Sequence, residues 1–332
     1  MKKGERIVKK LNALLIAFML VFLAACGNEA EPTPVENNNE SVSDQTDQEN
    51  ASVETFPVTI KDATNKDVVI EKKPEKIVTL MPSNTEIVYA LGAGDTVVGV
   101  SESDNYPEEV NEIEKVAGME LNIEKIISLE PDVVLAHGST VSMWESGLKQ
   151  LEDSGITVLV VNDAQSFEAV YESIEMVAKA TGKSEESDQL IDDMKAKLAA
   201  IKKQAESISE EDQKTVFVEI SPAPEMYASG QNTFMNEMLK VINAQNAVKE
   251  DGYPQMNEEA VLVLNPDVII TTYGVENATE LVLERKGWQD MTAVKEKQVY
   301  EVNEDLVSRS GPRIIEGVEE LAKAIYPEVF GK

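Results

Sequence analysis

Histidine and cysteine are nearly missing from this sequence, with one of each in 332 residues. That scarcity removes whole classes of chemistry. A zinc site needs several His or Cys ligands at short spacing, and no such set exists here. Any Ser–His–Asp arrangement has to use the lone His137, which lies in the segment AHGST at 136–140. A single cysteine, Cys26, permits no internal disulfide, so the core alone must hold the fold. Neither a phosphate-binding P-loop nor a dinucleotide-type glycine pattern is present. Acids are so abundant that carboxylate pairs arise by chance, which deprives a glycosidase reading of force. Basic residues are scarce, 30 Lys and Arg against 61 Asp and Glu, for a formal charge of −31. So acidic a chain, without a basic stripe, excludes nucleic acid as a partner and adheres poorly to anionic lipid. The expectation is a protein that is not an enzyme and carries no resident metal or cofactor.

The basic residues that do occur cluster at the start. Residues 1–10 hold five of them and one acid, and an apolar run covers 11–25. This reads as a secretory signal segment, too short for a comfortable membrane span of about 20 residues. The sequence LAACG at 23–27 resembles the lipobox of bacterial lipoproteins, in which the cysteine is lipidated and becomes the new N-terminus. Cleavage before Cys26 leaves 307 residues. It removes five basic and one acidic side chains and takes the charge from −31 to −35. The lipid must then do the anchoring, and more than one acyl chain meets that need. Residues 26–55 form the anchor and a tether with eight acids and no Lys or Arg, whose like charges extend it. A lipid anchor with a tether suits the outer face of the cytoplasmic membrane in a cell without an outer membrane.

From Phe56 onward the texture is that of a folded protein. Alternation over 56–60 and 68–70 suggests a hairpin. Buried-strand runs follow at 76–81, 97–100, 133–136, 158–161, 216–220, 268–272 and 298–302. Helical patterns lie between them at 85–91, 123–129, 143–154, 167–181, 185–207, 234–241, 258–264, 279–287 and 312–324. Strand–helix alternation indicates α/β layers with parallel sheets. An internal echo divides them. NIEKIISLEPDVV at 122–134 and NEEAVLVLNPDVI at 257–269 match at a constant offset of 135. Each copy reads as an Asn cap, a short helix, a Pro-Asp turn and a buried strand. The expected organisation is an N-terminal lobe at 56–165, a connecting helix at 166–207, broken or kinked near Gly182, and a C-terminal lobe at 208–332. A rigid crossing helix restricts the lobes to a modest closure.

Three stretches carry a resemblance to a known family. TLMPSNTEI at 79–87 with DNYP at 104–107 resembles the first strand–loop–helix of the cobalamin-binding proteins of ABC importers. The paired segments at Asn122 and Asn257 resemble their transporter-docking helices, and SRSGPRI at 308–314 looks like their C-terminal signature. The likeness runs in order over nearly all of 77–330, within a broader family that also binds ferric siderophores and haem. It implies two Rossmann-like lobes joined by a single long helix, with the ligand cleft between them. It also implies a cargo, cobalamin or a related corrinoid, with a ferric siderophore or haem as the alternative. The implied partners are an ABC permease dimer and its ATPase. In the family, one Glu per lobe meets arginines on the permease, and Glu124 and Glu259 occupy those positions. The bland account of both is an acid on the first helical turn, favoured by the helix dipole by about 0.3–1 kcal/mol.

Ligands of open α/β sheets bind at the carboxyl ends of the strands. The expected cleft residues are therefore Met81, Pro82, Ser83, Asn84, Tyr106, Met119 and His137 from the first lobe. Met226, Tyr227, Tyr253, Tyr273 and Arg309 are expected from the second, Arg309 because it matches a ligand-reaching arginine of the resembling family. Tyr and Met surfaces with few charges suit a large, flat, partly apolar ligand. Ser83 and Glu86 also have the spacing of a capping box and fit a structural role. Only Arg309 and Arg313 are candidate cations near the cleft, which favours a weakly charged cargo. The two tryptophans, Trp144 and Trp288, are fewer than the resembling cobalamin binders present. His137 is open to three roles: a polar cleft wall, an axial ligand to the metal of a bound tetrapyrrole, or a loop histidine bonded to backbone.

Overall fold

The computed structural model describes residues 55–331. The expected signal segment, Cys26 and the tether lie outside the described residues. The first elements are β1 (Val58–Lys61) and β2 (Asp67–Ile70), paired antiparallel with Val58 opposite Ile70. Their alternation puts Val58, Ile60, Val68 and Ile70 into the core, as the period of two requires.

The N-terminal sheet follows. Its strands are β3 (Ile77–Thr79), β4 (Val97–Ser101), β5 (Glu114–Ala117), β6 (Val133–His137) and β7 (Thr157–Val161). All pair in parallel, in the order β5-β4-β3-β6-β7. Helices α1 (Pro82–Ala90), α2 (Ile123–Leu129) and α3 (Val141–Asp153) connect them. The order reverses between β3 and β6, a topological switch point. Helix α1 starts three residues before the expected position. Pro82 stands at its first turn, where a missing N–H costs nothing, and extended Met81 is the N-cap. The capping box expected from Ser83 and Glu86 does not form, because both already lie inside the helix. Glu86 faces other partners.

The expected crossing helix over 166–207 is two helices, α4 (Phe167–Thr181) and α5 (Ser184–Ala205). Gly182 takes φ 67°, and the Lys183 N–H bonds back to the Ala178 carbonyl at 2.8 Å. That is a helix stop rather than a kink. The two helices lie antiparallel, with the Lys195 ammonium 4.9 Å from the Tyr171 ring centre. Helix α5 is the longer of the two. It begins beside Phe56, which a Cβ at Gly182 would touch, and ends where Asn243 Nδ2 donates to the Ala205 carbonyl at 2.8 Å. At 22 residues it is about 33 Å long.

The C-terminal sheet holds β8 (Thr215–Ser221), β9 (Tyr227–Ala228), β10 (Gln245–Asn246), β11 (Val268–Thr271) and β12 (Val299–Glu301). Its order is β10-β8-β11-β12, parallel throughout, with β9 antiparallel on β8. The main helices are α6 (Phe234–Val241), α7 (Glu258–Leu264), α8 (Ala278–Leu283), α9 (Glu304–Ser308) and α10 (Ile314–Ile325). The sequence echo is a structural one. Asn122 caps α2 through Lys125 N at 3.1 Å, and Asn257 caps α7 through Ala260 N at 2.8 Å. Asp132 accepts from the Lys76 N–H that leads into β3, at 3.1 Å. Asp267 accepts from the Thr215 N–H at the start of β8, at 2.8 Å.

Strand periodicity also explains the core. Val133 and Leu135 of β6, and Val216 and Val218 of β8, face one continuous apolar body that runs from Val58 to Phe330. Val134 and Ala136 face a separate outer cluster, and Phe217 faces another. The inner faces of both sheets thus share a core with α4, α5, α6 and α10. Phe167 meets Phe234 edge-on across that body at 5.0 Å.

A polar clasp completes the junction. Glu86 on α1 is buried and accepts from Arg309 Nη1 at 2.9 Å, Arg313 Nε at 3.0 Å and Arg313 Nη2 at 3.2 Å. Arg309 also reaches the Ser103 carbonyl at 3.1 Å, and Ser310 donates to the Ala164 carbonyl at 2.9 Å. Glu86→Gln leaves Arg313 without its counter-charge and Arg309 with Asp305 alone, so unfolding stability should fall by about 3 kcal/mol. Urea denaturation reads this. Lys149→Ala, which breaks an exposed pair on α3, serves as the control and should leave the midpoint in place.

Candidate functional site

A cavity of about 1040 Å³ opens between the two sheets, at the carboxyl ends of their strands. Both switch points feed it. Met81, Pro82 and Ser83 follow β3, and His137 ends β6. Ser221 ends β8, and Thr272 follows β11. The placement follows from parallel pairing, since every strand of a sheet then delivers its loop to the same edge.

Of the residues expected in the cleft, the structure brings Met81, Pro82, Ser83, Met119, His137, Tyr227, Tyr253 and Arg309 to the cavity wall. Met119, Tyr227 and Tyr253 are exposed there, and Met143 joins them. Trp144 also lines the cavity, its indole N–H directed at the Met119 carbonyl at 3.5 Å. These are adaptable thioethers and flat rings, the surface that accepts a large, partly apolar ligand.

Four expected residues are elsewhere. Asn84 is buried, and its amide donates to the carbonyls of Leu135 and Ala136 at 3.2 and 2.9 Å, tying α1 to β6. Tyr106 lies under the Arg313 guanidinium, 3.8 Å from its ring centre, outside the cavity. Met226 is packed in the outer C-terminal core with Trp288. Tyr273 donates to Glu219 at 3.0 Å. That carboxylate is fully buried and doubly bonded by Arg285, at 2.8 Å on each oxygen. Burial, then the charge of Glu219, pushes the Tyr273 hydroxyl far above the ordinary phenol range. A tyrosine two residues past a strand end reads as a cleft residue in sequence. A buried acid and a distant arginine capture it instead.

Other wall residues went unpredicted: Glu102, Asp163, Phe234, Met235, Glu304 and Asp305. Glu102 and Asp163 follow β4 and β7, so the strand-end rule itself identifies them. Phe234 and Met235 enter from the first turn of α6, which no strand announces.

Arg309 reaches the cavity wall already occupied. Besides Glu86 it bonds Asn105 Oδ1 at 2.8 Å and Asp305 at 2.7 Å. The docking candidates behave differently. Glu124 and Glu259 are both exposed on the first turns of α2 and α7.

His137 takes the backbone-bonded role and also lines the cavity. Its Nδ1 accepts the Ser139 N–H at 3.3 Å and lies 2.8 Å from the Ser139 hydroxyl. An Nδ1 that accepts a backbone N–H carries no proton, which assigns the proton of the neutral ring to Nε2. Burial holds its pKa below the ordinary 6.5, and the nearby Asp163 charge opposes that shift. Above pH 6.5 folded and unfolded chains both hold it neutral. As pH falls through that value the unfolded chain takes up the proton first, so this contribution to stability is lost on the acid side. The only imidazole signal in the proton NMR spectrum of untagged protein should titrate with a midpoint below 6.5. Asp163→Asn should move that midpoint lower still.

Comparison with known proteins follows the same outline. Residues 77–306 match the family model described as periplasmic binding protein. An uncharacterised ABC transporter substrate-binding lipoprotein of Bacillus subtilis is 53% identical over 319 residues, covering 96% of each chain. A cobalamin-binding protein of Halobacterium salinarum is 28% identical, over 82% of this chain and 75% of its own. Among solved structures, a possible iron-binding protein of Staphylococcus epidermidis superposes with a TM-score of 0.70 at 36% identity. It covers 77% of this chain and all of its own. The periplasmic vitamin B12-binding protein of Vibrio cholerae does so with a TM-score of 0.64 at 28% identity, over 76% and 97%. Two parallel sheets with a shared cleft at their switch points, and a family model spanning well over half of the sequence, make this chain a member of the periplasmic binding protein family.

Proposed function

We propose that this protein captures cobalamin or a related corrinoid outside the cytoplasmic membrane and delivers it to the permease of an ABC importer. The carrying observation is the state of the two arginines nearest the cleft. Arg309 and Arg313 both serve Glu86, so among the described residues neither guanidinium is left unpaired for haem propionates or a catecholate chelate. The wall is instead built from Met81, Met119, Met143, Trp144, Tyr227 and Tyr253, which suits a broad face with little charge. The cobalamin- and B12-binding relatives support the same cargo. A ferric chelate is the second reading, favoured by the 36% identical staphylococcal protein.

Binding free energy then comes chiefly from apolar surface buried between the lobes, at about 25 cal/mol per Å² before association costs. The shared core and the Glu86 clasp limit lobe movement, so the free protein is already close to its bound form. Delivery uses Glu124 and Glu259. Equivalent helices hold them, one per lobe, and a pair of that kind matches a two-fold permease dimer. Cys26 supplies the membrane anchor, a reading supported by the lipobox and by the lipoprotein relative in Bacillus.

Titration of the purified protein with cyanocobalamin, a ferric hydroxamate, a ferric catecholate and haemin tests the cargo. Saturable binding of the corrinoid, seen as quenching of Trp144 fluorescence, is expected. Binding of an iron chelate with silence toward the corrinoid transfers the assignment to the second reading. Reversing both charges, Glu124→Lys with Glu259→Lys, should abolish cellular uptake while the dissociation constant of the purified protein stays the same. A weakened dissociation constant would place those residues in the cleft rather than at the permease.

A further inference from the structure

Ten of the twelve methionines lie among the described residues, and eight of those ten are partly or fully buried. The two exceptions both line the cavity: Met119 is 85% exposed and Met143 65%. Met119 follows β5, and Met143 stands on the first turn of α3. Next to Met143 in the chain is Trp144, buried in the same wall, with its indole N–H directed at the Met119 carbonyl at 3.5 Å. That contact joins both thioethers into one stretch of wall. The other methionines of the cavity are better covered, Met81 half-buried and Met235 buried. In the core, Met226 and Met238 are fully buried. No cysteine occurs among the described residues, so no thiol there competes for an oxidant.

We propose that Met119 and Met143 form a reversible oxidation site in the cleft wall, which peroxide converts to sulfoxides and which thereby weakens cargo binding. The site stands on exposure and placement, and its effect on cargo rests on the reading of the cavity as the cargo site. In the reaction a sulfur lone pair attacks one oxygen of hydrogen peroxide. The S–O bond forms and the O–O bond breaks. The departing hydroxide takes up the proton left on the transferred oxygen and leaves as water. Sulfur loses two electrons, and the peroxide gains them. Unlike a thiol, a thioether needs no deprotonation, so its rate follows the access of peroxide and water to sulfur. The product has nearly the size of the original side chain but is polar. Against an apolar ligand face its S–O dipole is stripped of water and finds no partner, which costs affinity. A dithiol reductase reverses the step: the oxygen leaves as water and two thiols become a disulfide. On the extracytoplasmic reading of this protein, both side chains face an oxidising compartment.

The test treats the purified protein with graded hydrogen peroxide and locates each added oxygen by peptide mass spectrometry. Met119 and Met143 should be modified first, at least about tenfold faster than Met226 and Met238. Equal rates, or first modification at a core methionine, overturn the site. That map needs no ligand. After removal of the peroxide, treated and untreated protein are titrated with cyanocobalamin. Affinity should fall about tenfold once both sulfoxides have formed. Incubation with the two methionine sulfoxide reductases, one for each epimer, should restore it. The same dose should leave Met119→Leu/Met143→Leu at whatever affinity it had before treatment. Full modification with unchanged affinity, or a loss that survives the reductases or recurs in the double variant, overturns the effect on cargo. Reversal on the unaltered protein decides the matter even if the variant fails to fold. Should cyanocobalamin not bind, the corrinoid reading fails on its own, and the same comparison is made with whichever of the ferric hydroxamate, ferric catecholate or haemin does. If none of the four binds, the cargo reading fails, and the oxygen map alone decides the site.

Discussion

One carboxylate holds the two lobes in register. Glu86 sits inside the first helix of the N-terminal lobe, where an unpaired charge would be costly. Its counter-charges arrive from the far end of the chain, Arg309 and Arg313. Everything near the cavity mouth leans on that pairing. Arg309 fixes Asn105 and the Ser103 carbonyl, Arg313 covers Tyr106, and Ser310 binds the backbone at Ala164. The cleft wall is therefore rigid where Arg309 is held and soft where Met119 and Met143 project. That division suits a binding protein, which needs a preformed site and a conformable surface.

The arginines of the C-terminal signature thus act chiefly on the protein itself. Their engagement by Glu86 leaves neither of them as an unpaired cation at the cavity. Shape and charge of the cleft have separate origins. The shape comes from the parallel sheets, whose switch points face one another. The carboxylates of its wall, Glu102, Asp163, Glu304 and Asp305, come from the ends of β4 and β7 and from the first turn of α9.

Much of this architecture is legible in sequence, because it depends on periodicity. Runs such as those at 133–136 and 268–272 are strands, and the 135-residue offset marks two lobes with the same helix caps and the same aspartate at the strand start. The misreadings share a cause. Thr181-Gly182-Lys183 reads as a break in one helix, yet a glycine with positive φ reverses the chain, and only tertiary packing of α4 on α5 distinguishes the two. Ser83 and Glu86 have capping-box spacing, but Pro82 starts the helix earlier and turns Glu86 inward. Tyr273 and Arg309 stand at positions that face a cleft, and each is captured by a carboxylate distant in sequence, Glu219 and Glu86. Local pattern reports where a side chain starts. It is silent about a partner more than fifty residues away.

That distance has a consequence for the order in which the molecule is completed. Glu86 is separated from its partners by 223 and 227 residues. More than nine-tenths of the chain has been synthesised before Arg309 appears. Until then Glu86 has neither of its counter-charges. The last segment to arrive thus brings both counter-charges, and a chain that stops short of it lacks the ion pairs of that joint.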